Sequence, residues 1–217
     1  MAKKQLTVEA TGARFEYRVW GTHRRARRIL EKLADAQTTE QVDDCYVLVD
    51  DSALNVKIRD STLKIKQLVA ERKGFEQWKS DRHHSVDTVP TPFDTIYLRL
   101  GLDRSQDAED VDLAVVASAA DLDCGVRLVI VNKQRRRFRV GDLRAESTDL
   151  TITETAEVLH TLSIEGDDLE QLRALRRRLG LHGHENVAVH NALGLGLDRS
   201  SAAASESDRV AHGQWSG

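Results

Sequence analysis

Between Val56 and Leu68 the chain reads VKIRDSTLKIKQL, and its apolar positions alternate with basic ones. In the first arm Val56 and Ile58 alternate with Lys57 and Arg59, and in the second Leu63 and Ile65 alternate with Lys64 and Lys66. Successive side chains of a strand point to opposite faces, so this stretch predicts a hairpin with one aliphatic and one cationic face. VRLVIVNKQRRRFRV repeats the pattern, with Lys133, Arg135 and Arg137 sharing a face.

Other segments fill in the frame. ARFEYRVW predicts a strand, and GTHRRARRILEKLADA a helix capped by Thr22, with Ile29, Leu30 and Leu33 as its apolar stripe. The short runs DDCYVLVDD, LNVKIRD, TLKIKQLV and GFEQWKS, separated by turn residues, predict an antiparallel meander. DRHHSVDTVPTPFDT, which holds both prolines, predicts a loop, TIYLRLGL a further strand, and SQDAEDVDLAVVASAADLD a helical or irregular stretch. GVRLVIVNKQRRRFRVGDLRAEST predicts two or three strands and HTLSIEG one more. DDLEQLRALRRRLGL then predicts a helix with Leu169, Leu172, Leu175 and Leu179 on its apolar side. A strand passed straight to a helix thus occurs in both halves, a weak internal repeat. The pattern predicts one domain over residues 1–199 and, from residue 200 to 217, a small, polar, aperiodic flexible tail.

Composition narrows the function classes. A chain of 217 residues with 40% hydrophobic content supports a sizeable core. Its 32 basic and 35 acidic residues give a formal charge of -3, which argues against a protein that coats nucleic acid, so any cationic site must be local. Cys45 and Cys124 lie far apart without metal-ligand spacing, which predicts free thiols in a reducing, cytoplasmic setting. The N-terminus shows no apolar signal core, and no apolar run approaches the ~20 residues of a membrane helix. His182, His184 and His190 lack cysteine or acidic companions at fixed intervals and are not read as a zinc site, and His83 and His84 fall in the predicted loop. LGLGLDR lacks the spacing of a dinucleotide or phosphate loop, and Trp20 and Trp78 are read as packing residues.

A cationic strand face can simply face water, and for one strand that reading is as good as any other. Several such strands, with helices covering their aliphatic faces, predict instead a sheet that closes on itself and turns one face inward. Basic groups inside a barrel repel one another and are poorly solvated, so they need acidic partners or an anionic ligand. Glu16, Glu76, Glu146 and Glu165 fall at matching strand positions. Against them stand Arg18, Lys57, Arg59, Lys64, Lys66, Lys133, Arg135 and Arg137. The excess of cations suits a polyphosphate, and an acid cluster among them suits a hard divalent ion on the same ligand.

RFEYR, VKIR, LKIK, NKQRRRF and LSIEGDDLEQLRALRRRLGL, in this order, resemble the motifs of the CYTH or triphosphate tunnel metalloenzyme family. That family includes class IV adenylate cyclases, thiamine triphosphatases and inorganic tripolyphosphatases. The resemblance spans roughly Ala13 to Leu195 and rests on motif order, since no single motif is specific. It implies an α+β fold: an eight-stranded antiparallel barrel, or tunnel, with helices packed outside. It also implies phosphate contacts from Arg18, Lys57, Arg59, Lys64, Lys66, Lys133, Arg135 and Arg137. A catalytic Mg2+ or Mn2+ ion would be held by Glu16, Glu165 and Glu146, with Glu16 and Glu165 as the catalytic acids and Glu76 as a further tunnel acid. Two positions depart from the pattern: Arg14 replaces the first glutamate of the opening strand and Ser163 the first of the closing strand.

Three function classes follow. The leading one is a metal-dependent hydrolase of a triphosphate-bearing substrate. The second is a binding module for polyphosphate or nucleotide with the same tunnel. The third, nucleic-acid binding through KQRRRFR and HRRARRILEK, is opposed by the overall charge and by the lack of a recognisable module. Nothing in the sequence selects one triphosphate or an oligomeric state.

Overall fold

The computed structural model describes residues 12–51, 53–80, 92–100, 102, 111–122 and 125–194. Its frame is a closed antiparallel barrel of eight strands in the order β1-β5-β4-β3-β2-β6-β7-β8. These are β1 (Arg14–Trp20), β2 (Ala36–Val49), β3 (Leu54–Arg59), β4 (Thr62–Arg72), β5 (Phe75–Ser80), β6 (Val126–Val140), β7 (Leu143–Ile152) and β8 (Val158–Gly166). The predicted meander is β2 to β5, and the barrel closes where β1 lies between β5 and β8. The long run with Lys133 at its centre forms two strands rather than three. Gly141 takes the left-handed conformation at the turn between them (φ 58).

Alternation sorts the side chains as predicted, and three apolar clusters show how. Phe15, Tyr17 and Val19 of β1 point outward with Ala145 of β7 and Leu162 and Ile164 of β8. They are covered by α1 (Arg24–Leu33) and α4 (Leu169–Leu179) through Leu30, Leu172 and Leu175. The aliphatic positions of the opening hairpin also point outward, with Cys45 and Val47, under α2 (Pro92–Arg99) and α3 (Leu113–Leu122). The third cluster lies inside. Tyr46, Val129, Val131, Leu150 and Ile152 turn toward the barrel axis and pack on Val189 and Leu193 of α5 (Val189–Gly194). Trp20 donates its indole N–H to the Val187 carbonyl (2.9 Å) and Trp78 meets the His190 ring edge-on, so both tryptophans hold the segment that closes this end.

Three sequence expectations need correction. TIYLR, the first part of TIYLRLGL, lies in helix α2 and not in a strand: Ile96, Tyr97 and the following Leu100 are buried while Leu98 is exposed, which fits a period of 3.6. Pro92 opens that helix, a position where the missing N–H costs nothing. The first helix is not capped by Thr22; His23 holds the cap position in a left-handed conformation (φ 39) without a side-chain cap, after Gly21 (φ 115) has turned the chain. That helix also ends at Leu33, because Ala36 already pairs with Arg139, and β2 is far longer than DDCYVLVDD suggests. By contrast α4 follows the sequence rules: Asp168 accepts from the Glu170 and Gln171 N–H groups and Gly180 ends the helix with positive φ. Residues 81–91, Cys124 and the predicted tail lie outside the described residues. No helix among the described residues is long and apolar enough to cross a membrane.

Leu172 is wholly buried between α4 and the barrel, whereas Leu98 is largely in water. Leu172→Ala is expected to cost ~2–5 kcal/mol in denaturant unfolding and Leu98→Ala under about 0.5 kcal/mol. Equal effects would show that the helices are not seated on the aliphatic face.

Candidate functional site

The inward parity that is apolar near α5 becomes ionic toward the other end of the barrel. On β6 it runs Val129, Val131, Lys133, Arg135, Arg137, and on β1 Trp20, Arg18, Glu16, Arg14. Side-chain exposure rises in the same direction: Lys133 is 6% exposed, Arg135 8% and Arg137 50%. Arg18 is 11% exposed and Arg14 43%. The result is a cavity of about 880 Å³ with a closed floor at Tyr46 and Val189 and a cationic mouth. Ten basic side chains line it against three acids. All eight basic residues expected from sequence are among them, joined by Arg139 and Arg144.

Each acid serves as a node for several cations. Asp44 accepts from Arg59 Nη2 (2.7 Å), Lys133 Nζ (2.8 Å) and Lys57 Nζ (3.2 Å), and its side chain is fully buried. Burial alone would raise the Asp44 carboxyl. The Arg59 hydrogen bonds and the charges of Lys57 and Lys133 outweigh it and hold the group far below the usual carboxylate range. Lys133 also donates to the Tyr46 hydroxyl (2.6 Å), and both lysines lie over the Tyr46 ring. Burial pushes the ammonium groups of Lys57 and Lys133 down to about 8 in spite of Asp44. Glu146 accepts from Arg135 Nε (2.9 Å) and Thr148 Oγ1 (2.7 Å). Burial there is outweighed by the Arg18 and Arg135 guanidinium groups, which bring it down to about 2.

Nearer the mouth, Glu16 pairs with Arg18 Nη2 (3.1 Å) and Lys66 Nζ (3.7 Å), and Glu165 with Arg144 (3.5 Å) and Arg14 (4.0 Å). Glu40 binds Arg135 Nη1 (2.7 Å) and Arg137 (3.3 Å). Glu16 and Glu165 stand directly opposite each other in the β1/β8 register. Ser163 stands between Arg18 and Glu146 in the ladder. Glu76 is opposite Glu16 on β5 but does not line the cavity; it accepts from the Trp78 indole (3.2 Å), and burial pushes its carboxyl up to about 7.

This donor set does not fit a resident divalent ion. Among the described residues no three His, Cys, Asp or Glu side chains converge as a ligand group. Glu16, Glu146 and Glu165, expected from sequence to hold the metal, are each engaged by basic side chains instead. A divalent ion needs several anionic or neutral oxygens turned toward one point. Here the carboxylate oxygens face guanidinium and ammonium groups instead. His184 and His190 are likewise apart, the first against His23 and the second against Trp78.

Asp44, Glu40, Tyr46, Arg139 and Arg144 were not singled out from sequence. Parity alone puts Asp44 and Tyr46 on one face of DDCYVLVDD. The adjacent Asp43 has the other parity and bonds Asn132 on the exposed side. Choosing between the two aspartates requires the β2/β6 register.

No protein-family model matches the chain, and no curated protein matches it. Solved structures similar to it include a Pyrococcus horikoshii protein, 17% identical over 77% of this chain and 90% of that one, with a TM-score of 0.45. A Bacillus halodurans protein provisionally assigned as an adenylate cyclase is 9% identical over 86% of this chain and 99% of that one, TM-score 0.46. An S. pombe RNA triphosphatase is 12% identical over 88% of this chain and 84% of that one, TM-score 0.34. Likeness at this level assigns neither family nor chemistry, and the cavity is read from its own residues.

Asp44→Asn leaves Lys57, Arg59 and Lys133 facing one another without their counter-charge. The expected loss is about 3–5 kcal/mol in denaturant unfolding near neutral pH. The folded-state carboxyl is depressed, so its stabilisation is present above the unfolded value of about 3.9 and lost as pH falls below it; the deficit of the variant should shrink in that window. Glu76 has the opposite sign. Its raised carboxyl favours the folded state at low pH and loses that advantage between about 4.3 and about 7, so Glu76→Gln should raise Tm more above neutrality than near pH 5.

Proposed function

We propose that this protein is a CYTH-like tunnel module that binds a triphosphate-bearing ligand or polyphosphate inside its barrel. The observation that carries the reading is the surplus of basic side chains on one cavity with a single described mouth, ten against three lining acids, with its most buried members at the floor. Buried like charges are destabilising, and the five carboxylates paired with them, Asp44, Glu146, Glu16, Glu40 and Glu165, offset only part of the charge of the ten basic groups. Phosphate oxygens supply the rest through charge-assisted hydrogen bonds, from arginine forks at Arg18, Arg59 and Arg135 and from lysine point charges at Lys57 and Lys133.

Binding is favoured over metal-dependent turnover because the acids that would hold Mg2+ or Mn2+ are occupied by cations. Nucleic acid is disfavoured as the main ligand by the formal charge of -3, and the buried thiol of Cys45 accords with a cytoplasmic setting. The domain boundary near residue 199 is part of the same proposal. A phosphate-release screen over tripolyphosphate, ATP and thiamine triphosphate, with and without Mg2+ or Mn2+, tests the choice. No release under any condition is expected; metal-stimulated release would make the protein a hydrolase.

Tripolyphosphate is expected to raise Tm, with orthophosphate doing less at equal ionic strength. Equal shifts from every anion would indicate screening alone. Lys133→Ala and Arg135→Ala should each weaken tripolyphosphate binding by ~1.5–3 kcal/mol, while Arg28→Ala, exposed on α1, should leave calorimetric affinity unchanged. Because Lys57 and Lys133 lose their charge near pH 8, affinity should fall as pH rises through about 8.

A further inference from the structure

A second concentration of positive charge lies outside the barrel, on the two helices that cover β1 and β8. In a chain of formal charge -3, α1 carries five basic residues against one acid and α4 four against one. Some of these groups belong to the fold: Arg27 pairs with Glu31 (3.9 Å), Arg173 with Glu170 (2.9 Å), and Arg176 lies over the Tyr17 and Phe75 rings (5.0 and 4.9 Å). Arg24, Arg25, Arg28, Lys32, Arg177 and Arg178 do not. All six are exposed, and among the described residues their side chains make no hydrogen bond, ion pair or ring contact. α1 leads from Trp20 to Ala36, opposite Arg139, while α4 leads from Gly166, opposite Phe15, to the segment where Val187 bonds Arg18. The two helices therefore run in opposite directions and pack on each other, which brings the arginines of the first turn of α1 toward those of the last turn of α4.

Local rules disfavour this arrangement. Arg24 and Arg25 meet the positive end of the α1 dipole, where there is neither an acid nor a side-chain cap. Arg24, Arg28 and Lys32 follow one another at four-residue spacing, which sets like charges side by side on the helix. A face that serves only to be solvated intersperses both signs. We infer that the outer face of α1 and α4 docks an acidic segment of a partner protein, whose carboxylates are held by Arg24, Arg25, Arg28, Arg177 and Arg178. Five of the six free cations are arginine, which is enriched at protein interfaces where lysine is depleted, and whose fork takes a carboxylate through two parallel hydrogen bonds. Nucleic acid suits the face less well. From Arg24 to Lys32 it is only about 12 Å long at the rise of a helix. Glu170 and Glu185 stand at its margins, where an extended phosphate backbone would be repelled. The apolar side chains of both helices, Leu30, Leu172 and Leu175 among them, are spent on the barrel wall, which leaves none to enter a bilayer.

Fluorescence anisotropy of a labelled oligoglutamate peptide with the full chain, at ~0.15 M salt where exposed charges are screened beyond about 8 Å, tests this. Oligoglutamine of the same length and an RNA duplex of equal charge serve as comparisons. The oligoglutamate should bind and the oligoglutamine should not. The double variants Arg24→Glu with Arg28→Glu, and Arg177→Gln with Arg178→Gln, should each weaken binding at least about tenfold. Glutamate suits the first turn of α1, so the first variant should keep or raise Tm while it loses the peptide. Lys133→Ala, inside the barrel, should bind the peptide as the parent does, and both helix variants should keep the parent's response to tripolyphosphate. Absence of oligoglutamate binding at this salt, or undiminished binding by both helix variants, would overturn the inference. So would an equal loss in Lys133→Ala, which would place the peptide in the barrel. Tighter binding of the RNA duplex through the same arginines would make this face a nucleic-acid surface and overturn it as well. None of these results bears on whether the barrel takes a phosphate ligand.

Discussion

A fully buried carboxylate held by three cations, Asp44 with Lys57, Arg59 and Lys133, is the interaction on which the interior depends. The three basic groups come from strands on either side of β2, so the ion cluster crosses both the β2/β3 and the β2/β6 seams of the barrel. Removing charges from water is costly, and the cost is offset only where several hydrogen bonds converge on the same group. Asp44 meets that condition, and Glu146 meets it less deeply with Arg135 and Thr148. Both acids fix the directions of basic side chains that would otherwise splay apart.

That arrangement carries a surplus of positive charge by construction. Each carboxylate is shared among several basic groups, so the interior retains net capacity for an anion while its donors stay ordered. Preorganised donors reduce what a ligand must spend on side-chain ordering. The same sharing explains the poor fit to a divalent ion, since each acid is paired with basic groups and no three of them among the described residues converge on one point. Arg14 reinforces this at the mouth, where it lies beside Glu165 and Asp167.

The barrel wall separates two solvents. Outside it, helices α1 and α4 on one flank and α2 and α3 on the other bury the aliphatic parity of the strands; inside, the other parity is apolar only near α5. A closed sheet has no free edge, so no strand needs protection by charges or prolines, and the charged residues are available for the interior. The asymmetry between plugged floor and open mouth is what makes a chemically uniform cationic lining directional.

Period-two alternation in VKIRDSTLKIKQL and NKQRRRF was sufficient by itself to put Lys57 with Arg59, Lys64 with Lys66, and Lys133 with Arg135 and Arg137 on the charged face of their own strands, because side-chain parity in a strand is a local property of the backbone. The same holds for the leucine stripe and caps of α4. Whether those faces looked inward depended on closure, which joins β1 to both β5 and β8 and has no local signature. TIYLRLGL shows the limit in the other direction: its apolar spacing fits either period, and only the seat against Val56 and Ile58 settles it as helix. The tertiary structure alone decided that Asp44 and not Asp43 is the counter-ion, that three glutamates are paired with cations, and that α5 seals one end. Each of these depends on register or on contacts between residues far apart in the chain, where pattern along a sequence holds no information about distance.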